Sequence, residues 1–267
     1  MTKILVTGGT GELGSKLVHR LREAGYTVRI MSRRTAPPDL ADGIEWATAD
    51  LATGVGLTEA VAGIDEIIHA ASQPFKNTLA IDVEGTTRLI DAAKIACVNH
   101  LFFMSIVGVD LIPISYYKHK VTAEKIVEAS GLNWSILRAV QFHSFIDTLT
   151  ARLARLPILF VPTDFCFQPM ETGEVAEHIV AGLQRGLRGR WPDLAGPQQL
   201  RWGEIAQQWL AARGEARRIV RLPIPGKTAA ALRAGYNTIP GRPSGTITWE
   251  KWLNGKRYSE NGGERIR

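Results

Sequence analysis

The run Thr7-Gly8-Gly9-Thr10-Gly11-Glu12-Leu13-Gly14 separates a short apolar stretch, residues 3–7, from an amphipathic one that starts at Leu13, and it limits the fold more than any other part of the chain. Gly8, Gly11 and Gly14 recur at every third position. One glycine permits a sharp strand-to-helix turn, a second lets backbone amides approach a pyrophosphate with no Cβ in the way, and a third allows the helix to pack closely on the strand. A helix that opens there points unpaired N–H groups and the positive end of its dipole at the phosphates. Gly8, Thr10, Gly11, Glu12, Leu13 and Gly14 are therefore candidate dinucleotide-binding residues.

The first 140 residues or so alternate β-branched runs with helical patterns, the signature of βαβ units around a parallel sheet buried on both faces. The pattern predicts strands at 3–7, 27–31, 44–49, 66–69, 100–104 and 133–137, and helices near 13–24, 57–62, 77–96 and 116–130. Beyond Arg138 the alternation fades, and five of the seven tryptophans, from Trp191 to Trp252, fall in the last third. The expected architecture is α/β, a Rossmann-type doubly wound parallel sheet, with a smaller C-terminal substrate lobe. Residues 1–150 would form the NAD(P)-binding domain and 151–267 mainly the lobe.

The end of the second strand selects the cofactor. A carboxylate there bonds the ribose 2′-hydroxyl of NAD. This chain instead has Ile30-Met31-Ser32-Arg33-Arg34, a hydroxyl and two guanidinium groups, which suit a 2′-phosphate. NADP(H) is the expected cofactor, the alternative being that Arg33 and Arg34 are solvated loop charges. Asp50-Leu51 after the third strand and Ala70-Ala71-Ser72 after the fourth stand where the cofactor wall belongs. Asp50 either accepts a bond from the adenine amino group or is an exposed turn residue.

Charge, cysteine count and hydropathy exclude several classes. The formal net charge is +6, but residues 185–267 carry +10 and residues 1–184 carry −4. The basic third either attracts an anionic cofactor or partner or is a solvated surface; with no helix-turn-helix pattern, RNP sequence or zinc ligand set beside it, nucleic-acid binding is not expected. Cys97 and Cys166 form neither a disulfide framework nor a metal-ligand spacing, and are expected to be reduced core residues. The N-terminus lacks a secretory pattern, and no run approaches the roughly 20 apolar residues of a membrane span. The expectation is a cytoplasmic protein without membrane association, a monomer or homodimer.

With these residues in place, the chain resembles the atypical short-chain dehydrogenase/reductases, in particular their NmrA-like, NAD(P)H-binding branch. The resemblance rests on TGGTGxLG, His69-Ala70-Ala71, Asp82-Val83-Glu84-Gly85-Thr86-Thr87-Arg88, Phe103-Met104-Ser105, Tyr116 through Glu124, and Trp134-Ser135-Ile136-Leu137-Arg138. Gln168-Pro169-Met170 ahead of Gly173-Glu174-Val175-Ala176 is similar to the family's return from the substrate lobe, so that a segment near 168–185 would rejoin the cofactor domain.

The resemblance also implies a mechanism. Reductases of this superfamily use Tyr-x-x-x-Lys, which Tyr116 and Lys120 match, four residues apart on one helical face. A phenol with a free pKa near ~10 is a weak acid or base at neutral pH, and a nearby ammonium lowers that pKa. Tyr116 would donate a proton to a carbonyl oxygen, and Lys120 would activate it and hold the nicotinamide ribose. Tyr117 and Lys118 compete for the same roles if the helix face is turned by one residue. The family's carbonyl-polarising Ser or Thr falls at Ile106, one residue after Ser105, so Ser105 is the remaining candidate. Asp82 stands where extended members often carry Asn. His143 either faces the nicotinamide or is simply packed, and His69 is expected to be structural. Pro- and Trp-rich stretches of the last third suggest an apolar pocket for an aromatic, quinone-like or polyketide-like substrate, or else a local core or subunit contact. The residues from Lys256 onward read as a polar tail. The expected function is an NADPH-dependent oxidoreductase; the alternative is an NADP(H)-binding redox-sensing regulator without turnover.

Overall fold

The computed structural model describes residues 1–74, 76–155 and 157–261, with side chains as far as Lys256. The chain divides into two compact units. The first comprises Met1–Asp110, Ile114–Arg138 and Thr172–Pro192, and the second Leu111–Pro113, Ala139–Glu171 and Asp193–Arg267.

The first unit is built on a seven-stranded sheet in the order β3-β2-β1-β4-β5-β6-β9. The strands are β1 (Lys3–Thr7), β2 (Thr27–Ser32), β3 (Ile44–Thr48), β4 (Glu66–His69), β5 (His100–Ile106), β6 (Asn133–Ala139) and β9 (Gly189–Arg190). Pairing is parallel along β3-β2-β1-β4-β5 and between β6 and β9, with Thr7 opposite Met31 on one side and His69 on the other. Strand order reverses at β1, and ligands of open α/β sheets bind at such a switch point, outside the carboxyl ends of the strands. Every expected strand is present, within two residues at each end.

The helices of this unit follow the apolar periodicity. In α1 (Glu12–Glu23) the buried residues are Leu13, Gly14, Leu17, Val18 and Leu21, one stripe at helical spacing. The others are α2 (Leu57–Val61), α3 (Gly85–Ile95), α4 (Ser115–Glu128) and α6 (Thr172–Gln184). One expectation needs correction: residues 77–96 are not one regular α-helix. Leu79–Glu84 form a π-helical turn in which the Gly85 N–H bonds the Ala80 carbonyl, five residues back. Gly85 also packs closely on Leu51, since a Cβ there would lie 2.8 Å from the Leu51 Cβ. The wide turn carries Asp82 into the interior. Cys97 is a second correction. It is exposed, in the left-handed conformation (φ 55°) just beyond α3, because the residue that reverses the chain there projects outward; Cys166 is buried.

The second unit has two small two-stranded sheets, β8 (Cys166–Phe167) with β10 (Leu200–Arg201) and β7 (Leu159–Val161) with β11 (Ile219–Arg221). Its helices are α5 (His143–Leu153), α7 (Trp202–Arg213), α8 (Lys227–Arg233) and α9 (Trp249–Asn261). Trp202, Trp209 and Trp249 belong to its core, with Trp252 packed against it. The three buried indoles each donate, to Thr150 Oγ1, Asp147 Oδ1 and the Ile205 carbonyl respectively, as buried indoles usually do. Helix α9 takes the expected tail as far as Asn261, and residues 262–267 lie outside the described residues.

His143 is packed, not poised for chemistry. Its ring lies 5.7 Å from that of Trp249 and 5.6 Å from that of Trp252, and neither ring nitrogen has a hydrogen-bond partner among the described residues. Burial lowers its pKa to about 4, so the ring is neutral when folded. The unfolded chain binds the proton first, near the ordinary value of 6.5; this contribution to stability is complete above that pH and is lost as pH falls toward 4. An unsatisfied buried polar group costs about 1–3 kcal/mol. His143→Phe should therefore raise the melting temperature at pH 7 and reduce the loss of stability between pH 6.5 and 4; thermal denaturation across that range checks both.

Candidate functional site

A cleft of about 500 Å³ opens at the carboxyl ends of β1, β2 and β4. Gly8, Thr10 and Gly11 line its floor, Ser32 and Arg33 one side, Asp50 and Leu51 another, and Ala70, Ala71 and Ser72 the wall after β4. Met31, Ala49, Gln73, Pro74 and Ile81 complete it; these five were not singled out in the sequence, being apolar or loop residues without a distinguishing chemistry. Glu12, Leu13, Gly14, Arg34, Ser105 and Lys120 are not among its lining residues.

The glycines behave as the turn requires. Gly8 has φ +69°, and a Cβ on it would fall 2.9 Å from the Ala71 Cα; one on Gly14 would meet the Gly8 carbonyl oxygen. Gly14 thus sets the approach of α1 to the turn, while the Gly11 N–H closes the turn on the Gly8 carbonyl at 2.8 Å. Leu13 is in the core, and Glu12 accepts from Thr172 Oγ1 at 2.5 Å, tying α1 to α6. Arg33 and Arg34 are exposed, and neither guanidinium has a partner among the described residues. The Arg34 carbonyl is fixed by the Trp46 indole N–H at 2.9 Å, which shapes the loop between them. Asp50 accepts from the Ala52 N–H at 2.9 Å, holding its own turn.

The wall after β4 is anchored from beneath by a directed chain of hydrogen bonds. The Ala71 N–H donates to Thr7 Oγ1 (3.2 Å), and Thr7 pairs with His69 Nδ1 (2.7 Å). His69 Nε2 pairs with Thr86 Oγ1 (3.0 Å), whose own proton goes to the Asp82 carbonyl (2.6 Å). With the Thr86 proton spent there, Nε2 must donate and Nδ1 must accept, so Thr7 donates to it. Burial and the Lys120 charge lower the His69 pKa to about 3, in keeping with this neutral tautomer. His69 is structural.

Tyr116 and Lys120 come together at the edge of this wall, whereas Tyr117 is buried and Lys118 exposed. The phenol oxygen is 2.6 Å from Ser72 Oγ, and Ser72 donates to Asp82 Oδ1, also at 2.6 Å. Lys120, fully buried, donates to the Met104 carbonyl at 2.8 Å, sits 4.1 Å from the centre of the Phe103 ring and lies 3.7 Å from Asp82 Oδ1. Burial lowers the Lys120 pKa, and Asp82 and Glu124 oppose that. The expected depression of the Tyr116 pKa is reversed: burial first and the Asp82 charge second push the phenol above its ordinary range. Tyr116 therefore holds its proton in the folded chain.

Ser105 is buried at the end of β5 and donates to Glu124 Oε1 at 2.5 Å. Glu124 also accepts from Arg138 (2.9 and 2.7 Å) and Arg190 (3.0 Å), and these bonds hold its pKa down against the effect of burial. The single Ser105 proton is thus engaged away from Tyr116. Spacing carries no signal for this bond, because Ser105 and Glu124 meet only where α4 packs on β5.

A protein-family model described as NAD(P)H-binding matches residues 8–153, more than half of the chain. The chain belongs to this NAD(P)H-binding family. That membership agrees with the resemblance to the atypical, NmrA-like short-chain dehydrogenase/reductases. A ceramide reductase from Caulobacter vibrioides is 28% identical over 255 residues, covering 90% of this chain and 80% of that protein. The photosystem II assembly factor Ycf39 of Trieres chinensis is 29% identical over 189 residues, covering 68% of this chain; the matched part spans 59% of the assembly factor's length. The structure of an NADPH-dependent quinone oxidoreductase from Escherichia coli, complexed with NADPH, superposes with a TM-score of 0.79 at 17% identity, covering 95% of this chain and 99% of that one, which shows a shared fold. No helix among the described residues is long and apolar enough to cross a membrane.

The glycine turn fits a dinucleotide on its own geometry, because Gly8, Thr10 and Gly11 line the cleft at the amino end of α1, where backbone N–H groups can meet a pyrophosphate. Gly8→Ala adds both a strained positive φ and a backbone clash. It should weaken NADPH binding at least about tenfold and cost about 1–3 kcal/mol of stability, as read by titration calorimetry and by urea denaturation.

Proposed function

We propose that this protein is an NADPH-dependent reductase of a carbonyl, quinone or activated double bond in an apolar, aromatic or polyketide-like small molecule. The observation that carries this reading is a proton-bearing Tyr116, fixed against the cleft-wall residue Ser72 and sharing a polar cluster with buried Lys120. The nicotinamide supplies hydride, and the protein supplies the proton and the order. Gly8, Thr10, Gly11 and the amino end of α1 would hold the pyrophosphate, with Glu12, Leu13 and Gly14 setting that helix end. Ser32, Arg33 and Arg34 would hold the 2′-phosphate, and Asp50, Leu51, Ala70, Ala71 and Ser72 would flank the rings.

Tyr116 donates its phenolic proton to the substrate oxygen as that atom gains electron density. Lys120 keeps a positive charge near the resulting phenolate and orients the ribose. Ser105 acts as a support for this strand end through Glu124. In this reading the second unit binds the substrate, the protein is cytoplasmic, works as a monomer or homodimer, and associates with neither membrane nor nucleic acid. The names of the ceramide reductase and quinone oxidoreductase support reduction of an apolar substrate.

The second reading is an NADP(H)-dependent redox-sensing regulator without turnover. Two observations favour it: Ile106 stands where the resemblance puts the carbonyl-polarising hydroxyl, and Ser105 is engaged by Glu124. The name of the assembly-factor relative supports it too. Turnover separates the two.

Full-length protein with NADPH should reduce menadione or a member of a panel of aromatic aldehydes and diketones, and Tyr116→Phe should lower kcat/KM about 100-fold. An unchanged rate removes Tyr116 from the chemistry, and no turnover with any acceptor, alongside tight NADPH binding, favours the regulator. Loss of a charge-assisted phosphate contact predicts that Arg33→Ala weakens NADPH about tenfold or more while leaving NADH within about twofold. Calorimetry with both coenzymes measures this, and equal losses contradict the phosphate role.

A further inference from the structure

The second unit has a cleft of its own. It encloses about 710 Å³, and Ser144, Asp147 and Thr148 of α5 and Lys251, Trp252 and Lys256 of α9 are among its lining residues. That volume is in the range of small-molecule sites. Trp252 supplies an aromatic wall. Its ring is stacked on that of Trp249, with 13° between the planes and 5.4 Å between centres, and the buried His143 ring lies 5.6 Å away, so the indole is held in one orientation.

Donors in this cleft outnumber the acceptors that could meet them. Trp202, Trp209 and Trp249 each donate inside the unit, whereas the N–H of half-buried Trp252 has no partner among the described residues and is not enclosed. The Lys251 ammonium and the Thr148 hydroxyl, both on exposed residues, have no partner among the described residues either. The carboxylates are already engaged. Asp147 accepts from Trp209 at 2.6 Å, Arg213 at 3.2 Å and Lys256 at 2.8 Å, bonds that hold its pKa down against burial, and Glu171, which also lines the cleft, is not free. With Lys256 paired to Asp147, Lys251 is the uncompensated charge.

We propose that this cleft binds an aromatic carboxylate, with the ring laid against Trp252 and the carboxylate facing Lys251. The Thr148 hydroxyl and the Trp252 N–H complete the donor set. A small inorganic anion would leave the indole wall and most of the volume unused, and a neutral aromatic would leave the ammonium with water alone. An organic acid uses both, because a charge-assisted hydrogen bond adds to the apolar contact. The basic last third of the chain, +10 over residues 185–267, raises the local concentration of such anions. The proposal rests on the reading in which the second unit binds the substrate, and it gives that substrate a class: an acid whose aromatic body bears the group to be reduced. Lys251 and Trp252 are then specificity-determining residues.

The first test needs no coenzyme. Full-length protein is titrated calorimetrically with 2-naphthoate, with its neutral counterpart 2-naphthylmethanol, and with acetate, which lacks the ring. The naphthoate should bind about tenfold or more tighter than the alcohol, and acetate should give no saturable heat at the same concentrations. Lys251→Gln, at an exposed helix position, should bring the two naphthalenes to within about twofold of each other, and Lys251→Arg should restore the preference for the acid. Absence of naphthoate binding, equal affinity for acid and alcohol, or an unchanged naphthoate affinity in Lys251→Gln overturns the proposal. In the presence of NADPH, 4-carboxybenzaldehyde should have a KM about tenfold or more below that of benzaldehyde, and Lys251→Gln should remove the difference. Equal KM values in the wild type reject an acid as the substrate class. Absence of turnover with both aldehydes counts against the reductase reading, and the coenzyme-free titration still decides the site.

Discussion

A neutral imidazole at the centre of the first unit fixes the distances on which the rest of the site depends. His69 ends β4 opposite Thr7, the last residue of β1, and its two nitrogens join Thr7 on one side to Thr86 on the other. Thr7 holds the Ala71 N–H and Thr86 holds the Asp82 carbonyl. One ring thereby connects the wall of the cleft to the turn that carries the buried carboxylate. Each hydroxyl in the chain has a single proton, so the direction of every bond is determined, and a charged imidazole would offer Thr7 a donor where it needs an acceptor.

Buried charge in this unit is handled in two ways. Glu124 is surrounded by donors from Ser105, Arg138 and Arg190, an arrangement that keeps it ionised and inert. Asp82 has one donor, Ser72, and the more distant Lys120. The difference is physical, since a carboxylate met by several donors has its charge compensated on the spot, whereas one with a single close donor leaves its charge to act on its neighbours, Tyr116 among them. Ser105 and Ser72 also exchange the importance that spacing suggests for them. The hydroxyl next to the family's catalytic position serves the inert carboxylate, and the hydroxyl of the cleft wall touches Tyr116.

Much of the architecture was legible because it is written in local patterns. The six strands and the glycine turn follow from short-range periodicity and from sterics within eight residues, and Lys120 lies one helical turn from Tyr116. The π-turn was not legible. Residues 77–96 carry an unbroken helical pattern, and what widens the turn is the Gly85 N–H reaching Ala80 while Gly85 packs against Leu51, a residue more than thirty positions away. His143 and Cys97 illustrate the same limit, since a histidine or a cysteine has no sequence signature for being enclosed by tryptophans or left at an exposed helix end.

The sequence by itself determined a parallel sheet with an anion-accepting turn after its first strand and two arginines after its second, because these depend on residue type at fixed spacing. It also put a tyrosine and a lysine on one helical face. Only the tertiary structure decided the state of that pair. The ionisation of Tyr116 depends on Asp82 and Ser72, which are 34 and 44 residues earlier and reach it only where the ends of β4, the π-turn and α4 converge. Electrostatic interaction depends on distance and burial, and both are properties of the folded chain.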